Sequence, residues 1–271
     1  MPHLEAFFTH GDTGTNACFG PRASINDTVP LSARDADDVP DRSVLYVHGP
    51  ELAGQTSLLL QFGFTQVKAG KNVVLVMRGT AAGMSQQAAA SAIVPLSACA
   101  RCQLPVQTGN DNSLWRRIHI KYLQNCAELQ RFLCSLHVVA PEVSVLLVDG
   151  FETLFADESN MSNVYQTLAF LLDAREYMLA TTGGGVAVVA GHSDAFLLQQ
   201  QSRSLLRRWC RFLELVPAAE EPDVYTIRED IEDVANASED TARTQVTYAF
   251  AQPVDERNGT FQLLHVQRRV L

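Results

Sequence analysis

The run Val44-Leu45-Tyr46-Val47-His48-Gly49-Pro50-Glu51-Leu52-Ala53-Gly54-Gln55-Thr56-Ser57 carries an apolar strand into a glycine-bounded loop that ends in two hydroxyl residues. Its spacing is that of a phosphate-binding loop, G-x-x-x-x-G-K-[ST], with Gln55 standing where lysine is expected. Gly49 and Gly54 allow backbone conformations that let successive N–H groups converge on an anion beside a helix N-terminus. Thr56 offers a hydroxyl to Mg²⁺, and Ser57 completes the nucleotide-binding set of Gly49, Gly54, Gln55, Thr56 and Ser57. Gln55 donates only neutral hydrogen bonds where lysine would meet the outer phosphates with a full charge. A hydrogen bond to a charged group contributes about 1.5–3 kcal/mol against roughly 1 for a neutral pair, which lowers expected ATP affinity about tenfold. Phosphoryl transfer suffers more. The same residues also make a tight strand-to-helix turn with no phosphate, and that alternative stands beside the first.

A second signal lies at Val143-Ser144-Val145-Leu146-Leu147-Val148-Asp149-Gly150, an apolar strand that ends in a carboxylate. Asp149 at the carboxyl edge of a parallel sheet is placed to hold Mg²⁺ through water in the crevice that contains Thr56. Alone, Asp-Gly is an ordinary turn pair. Together the two segments describe one ATP and Mg²⁺ pocket, with Thr56 and Asp149 as the metal side.

These residues need a scaffold, and 271 residues with 46% hydrophobic content supply one large α/β domain. Residues 1–43 are rich in Asp, Asn, Thr and Pro without periodicity and read as a loosely ordered lead-in to a domain over 44–271. Apolar runs predict strands at Val44 to His48, Val73 to Met77, Ile118 to Tyr122, Val143 to Val148 and Val186 to Ala190. Helical spacing predicts helices from Gln55 to Lys68, closed by Gly70, after an Asn125 cap, and over Val164 to Leu179. Residues 79–113 show little pattern and read as a long loop or weak helix. Four later strands, Arg211 to Val216, Asp223 to Arg228, Thr244 to Phe250 and Thr260 to Gln267, are expected as antiparallel additions at the sheet edge. The fold class is therefore α/β, a mostly parallel sheet flanked by helices.

A net charge of -9 argues against a protein held on nucleic acid by overall charge, so DNA contact requires a local patch. The candidate is Arg203, Arg207, Arg208 and Arg211 around Trp209, which suits single-stranded DNA, against the alternative of a solvated face beside a buried Trp. No apolar run reaches a membrane span, and Met1-Pro2-His3-Leu4-Glu5 lacks a basic secretory start, so an intracellular soluble protein is expected. Cys99-Ala100-Arg101-Cys102 has C-x-x-C spacing without a second pair, which makes zinc binding with His119 or Cys126 a weak idea. His48 and His192 end core strands and read as edge histidines or as groups facing a nucleotide. The acidic stretch Glu229 to Asp240 reads as an exposed loop.

The loop and first helix, Arg78, the Glu128-Leu129-Gln130-Arg131-Phe132-Leu133-Cys134-Ser135-Leu136-His137 segment, the strand ending in Asp149 and Leu205-Leu206-Arg207-Arg208-Trp209 together resemble the SWIM-domain-protein-associated ATPases. These are divergent RecA-type recombinase paralogues, and the similarity covers about residues 44 to 216. The resemblance implies a RecA-like P-loop NTPase core and a zinc-binding SWIM-domain partner in a Shu-type complex. It further implies contact with recombinase paralogues, single-stranded DNA binding, and nuclear support of recombinase filaments in homologous recombination and double-strand break repair.

Gln55 departs from the lysine of that pattern. Active RecA-type recombinases place a glutamate just beyond the second strand, whereas this chain has Met77-Arg78-Gly79 there, so no general base is visible and no catalytic residue is assigned. Weak or absent ATP hydrolysis is the expectation. Competing readings are a P-loop ATPase or small-molecule kinase in which Arg78 or a neighbour's arginine replaces the lysine, and an interaction scaffold that binds neither nucleotide nor DNA.

Overall fold

The computed structural model describes residues 4–8, 44–79, 94, 96–100, 103, 112–155, 161–192, 206–229, 243–252 and 259–269. Short apolar runs form strands β1 (Val44–His48), β2 (Val73–Arg78), β3 (Ile118–Leu123), β4 (Val145–Val148) and β5 (Val186–Ala190). They continue as β6 (Cys210–Pro217), β7 (Val224–Glu229), β8 (Arg243–Ala251) and β9 (Thr260–Arg269). The helices are α1 (Gln55–Lys68), α2 (Asn112–Trp115), α3 (Cys126–Cys134), α4 (Leu136–Val139) and α5 (Met161–Thr182).

The nine strands among the described residues join one sheet in the order β3-β2-β4-β5-β1-β6-β7-β8-β9. Pairing is parallel from β3 through to β6 and antiparallel from β6 through β9. The α/β class with a mostly parallel sheet and antiparallel strands at the C-terminal edge is thus the observed architecture. One strand departs from expectation: β6 pairs with β1 in parallel, Leu45 opposite Arg211, so the antiparallel addition begins at β7.

The central strands are buried on both faces, which is why they read as continuous apolar runs rather than alternating ones. Alternation along β1 sends Leu45 and Val47 into one core layer with α1, and Val44 and Tyr46 into the other with α3 and α5. Gly70 stops α1 at φ 86°, and the N–H groups of Gly70 and Lys71 turn back to the carbonyls of Val67 and Gln66. Asn125 caps α3 as expected, its side chain accepting from Glu128 N at 3.0 Å. Glu128 in turn accepts from Gln124 N, one residue before the cap, at 2.9 Å.

The lead-in departs from its loose reading where the structure describes it, whereas the described part of 79–113 is loop or short helix as expected, but packed against the core. Leu4, Phe7 and Phe8 are buried in the α1 layer, with the Phe7 ring 4.9 Å from Phe62 and the Phe8 ring 5.7 Å from Tyr248. Burying each such ring contributes about 1.5–3 kcal/mol, enough to hold a short segment that has no periodicity to reveal it. Within 79–113, Val94, Leu96 and Cys99 are buried in the same layer, while Ser97 N and Ala100 N donate to the carbonyls of Phe261 and Leu263 on β9. The rest of residues 1–43 and of 79–113 lies outside the described residues, apart from positions already given.

Candidate nucleotide site

The phosphate-type loop leaves the carboxyl end of β1 and enters α1 at Gly54, which has φ 81° and no side chain capping the helix. The first helical hydrogen bond is Leu58 N to Gly54 O at 2.9 Å, so the amides of the opening turn lie at an uncapped positive end. Both glycines are demanded by packing. A Cβ on Gly49 would lie 2.6 Å from Leu215 Cβ on β6, and one on Gly54 would lie 2.4 Å from the Phe250 ring on β8. Tyr248 OH, also on β8, donates to Ala53 O at 2.7 Å. The antiparallel extension therefore forms the back wall of the loop.

Gln55 is buried at 2% exposure, and its Nε2 donates to Pro50 O at 2.8 Å, bridging the loop from within. Ser57 Oγ accepts from Val94 N at 3.0 Å, which ties the start of α1 to the segment lying along β9. Thr56 Oγ1 donates to Asp149 Oδ2 at 2.8 Å, so the two sequence segments meet. A hydroxyl beside a carboxylate is a donor set that suits Mg²⁺ with water, and the uncapped amides suit phosphate. Those residues fit the group. When bound, Mg²⁺ would supply charge neutralisation to phosphate oxygens, with Thr56 and Asp149 as its protein ligands.

The other carboxylate oxygen is engaged: His192 Nε2 lies 2.7 Å from Asp149 Oδ1. Burial opposes the charging of His192, but the hydrogen bond to Asp149 and the negative charges of Asp149, Glu152 and Glu51 outweigh it and raise the imidazole pKa. Glu152, on the one-turn helix Phe151–Phe155, accepts from His192 N at 2.7 Å through Oε1. Its Oε2 is buried and has no hydrogen-bond partner among the described residues. Burial raises the Glu152 pKa against the lowering effects of backbone hydrogen bonds and His192. The site thus combines a phosphate-type loop on a mid-sheet strand, an aspartate at the end of β4, and an antiparallel extension beyond β6.

No family model and no curated protein matches the chain. Among solved structures, the chain is similar to the RadB recombinase, with a TM-score of 0.46, 17% identity, and coverage of 78% of this chain and 88% of that one. It is also similar to the flagellar accessory protein FlaH from Methanocaldococcus jannaschii, with a TM-score of 0.47, 10% identity, and coverage of 85% and 96%. A DnaB-like replicative helicase gives a TM-score of 0.46 and 13% identity over 82% of this chain and 58% of the helicase.

Glu152 and His192 are the site residues that sequence reasoning missed or left undecided. Glu152 lies three residues past Asp149, so the turn after β4 was the available signal. His48 is buried against the Phe212 ring, centroids 5.6 Å apart and edge-on. Arg78 ends β2, three strands from β1 and thus roughly 14 Å from the strand that feeds the loop.

The arginine group sits elsewhere. Arg211 pairs with Leu45, at the amino end of β6, while the loop follows His48, so about 13 Å of strand separates the two. Arg207 and Arg211 are half-buried, Arg208 is exposed, Trp209 packs on the second core layer, and Arg203 lies outside the described residues. Cys99 and Cys126 belong to opposite core layers, no group of three or more metal-type ligands gathers among the described residues, and Cys102 lies outside them. Most of the acidic stretch 229–240 is likewise outside them. No helix among the described residues is long and apolar enough to cross a membrane.

Proposed function

We propose that this chain is a nuclear accessory subunit of homologous recombination and double-strand break repair. It pairs with a zinc-binding SWIM-domain protein, works beside recombinase paralogues, binds single-stranded DNA and keeps its ATP site as a vestigial element. The observation that carries the reading is the mutual satisfaction of the pocket: Gln55 is turned onto Pro50 O, and Asp149 is held by Thr56 and His192. A loop stabilised by its own side chains keeps its shape without a triphosphate, which is what an assembly subunit requires of it. The specific partner rests on the sequence resemblance alone. Affinity purification from cells tests it, with recovery of a SWIM-domain protein expected and its absence counting against the reading. Gln55→Lys is expected to raise ATP affinity about tenfold by calorimetry, because a charged donor replaces a neutral one. Unchanged affinity would show that the position does not face phosphate.

A second reading, nucleotide hydrolysis, draws on Glu152, a desolvated carboxylate beside the Asp149–His192 pair. A raised pKa suits a general base. It predicts measurable turnover that Glu152→Gln lowers at least a hundredfold, and an inactive wild-type chain disposes of it.

A further inference from the structure

Charge is unevenly distributed along the chain. Between Glu51 and Glu128 there is one carboxylate, Asp111, against seven Lys and Arg, in a protein of net charge -9. The described part of that stretch builds α1, α2, β2 and β3, and β3 is a terminal strand of the sheet among the described residues. We infer that the β3 edge binds the backbone of single-stranded nucleic acid, with Arg78, Arg116 and Lys121 contacting phosphates and Tyr122 stacking on a base.

The register separates two kinds of side chain. His119 and Lys121 lie opposite Val74 and Val76, on the face to which Arg78 also projects. Ile120 and Tyr122 lie opposite Leu75 and Met77, on the α1 face, and remain 44% and 40% exposed. Arg78, Arg116, His119 and Lys121 are all exposed. None of Arg78, Arg116, Arg117 and Lys121 pairs with a carboxylate among the described residues; Arg117 bonds instead to Asn72 Oδ1 and the Gly70 carbonyl. Arg116 lies two residues before β3, Lys121 within it and Arg78 at the end of the neighbouring β2, so the three cations flank a six-residue strand roughly 20 Å long.

Cations on one face of a sheet edge and an exposed aromatic ring on the other let a strand that wraps the edge place its phosphates and an unstacked base. Two half-exposed apolar side chains offer too little area to anchor a docked protein, whose interface takes about 800 Å² from each partner. Counterion release favours the nucleic acid in proportion to the phosphates met. This inference rests on the single-stranded DNA part of the functional reading and relocates it from the Arg203–Arg211 group.

The test is fluorescence anisotropy of a labelled oligo-dT on the full chain across a salt series. Three phosphate contacts give a log–log salt slope of about -2. Arg78→Ala with Lys121→Ala should weaken binding at least tenfold and bring the slope to about -0.7. Tyr122→Ala should weaken it about tenfold with the slope unchanged. Arg208→Ala should bind as wild type, and circular dichroism melts check that each variant is folded. The inference is overturned by a wild-type chain that does not bind, by edge variants that bind normally, by loss in Arg208→Ala alone, or by an oligo-glutamate peptide competing equally at matched charge. Recovery of the SWIM-domain partner is scored separately on the same edge variant, so failure of the DNA site and failure of the assembly reading give different results.

Discussion

Gly54→Ala is expected to lower stability by about 3 kcal/mol. At φ 81° an L-residue with a Cβ pays the left-handed penalty of roughly 1–2 kcal/mol. The added carbon would sit 2.4 Å from the Phe250 ring, and overpacking of that kind costs roughly 1–3 kcal/mol more. Urea unfolding of the purified chain reads the loss. The same measurement on Gly54→Ala with Phe250→Ala isolates the collision, because removing the ring makes room for the methyl group. The double variant should therefore lose less than the sum of the singles. Strict additivity would mean that β8 does not press on the loop. Glycine at this position is required by a neighbouring strand whether or not phosphate is ever bound, so its presence is weak evidence for nucleotide binding.

Asp149→Ala is the second large effect, about 2 kcal/mol of destabilisation. It leaves the Thr56 hydroxyl without its acceptor and strips the negative partner from His192. Losing one member of a fully buried pair costs about 3–5 kcal/mol, but His192 keeps 36% of its side chain in solvent, and screening reduces the figure. The pH dependence has a definite sign. His192 titrates above its ordinary value in the folded chain, so its contribution is fully present below about pH 6.5 and fades as pH rises through the folded-state value. Glu152 is also raised, by burial, so stability falls as pH climbs from about 4.5 through its folded-state value. Both groups bind more protons folded than unfolded, and both make stability decline with pH. In Asp149→Ala the histidine limb should disappear, and NMR titration should show the His192 pKa falling. A histidine that titrates unchanged in the variant would exclude the pair.

Because His192 holds Asp149, a metal ion must displace the imidazole as well as bind. That competition adds to the missing lysine charge, and both act against tight Mg²⁺-nucleotide binding. The vestigial reading of the pocket gains from a residue outside the phosphate loop itself.

Much of the scaffold was legible in local pattern. β1, α1 and β5 occupy the residues that apolar runs and helical spacing predicted, and Asn125 and Gly70 mark their helix ends as capping chemistry requires. β4 starts at Val145 rather than Val143, an end effect of the kind periodicity does not resolve. The meeting of Thr56 with Asp149 was also readable, since parallel strands deliver their carboxyl ends to one edge.

What the sequence determined by itself was the set of elements and the edge at which the candidate pocket lies, because strands, caps and glycine turns are fixed by neighbours a few residues apart. Beyond the Thr56–Asp149 meeting and the local cap at Asn125, tertiary structure alone decided which polar groups touch. His192 reaches Asp149 across 43 residues and Tyr248 reaches Ala53 across 195, and contacts over such separations leave no period to read. It also decided that Leu4, Phe7 and Phe8 join the core, and that Trp209 turns inward while Tyr122 stays exposed at the free edge. Burial is a property of the packed layers, set by which faces remain uncovered once the sheet closes against its helices, and no single segment carries that information.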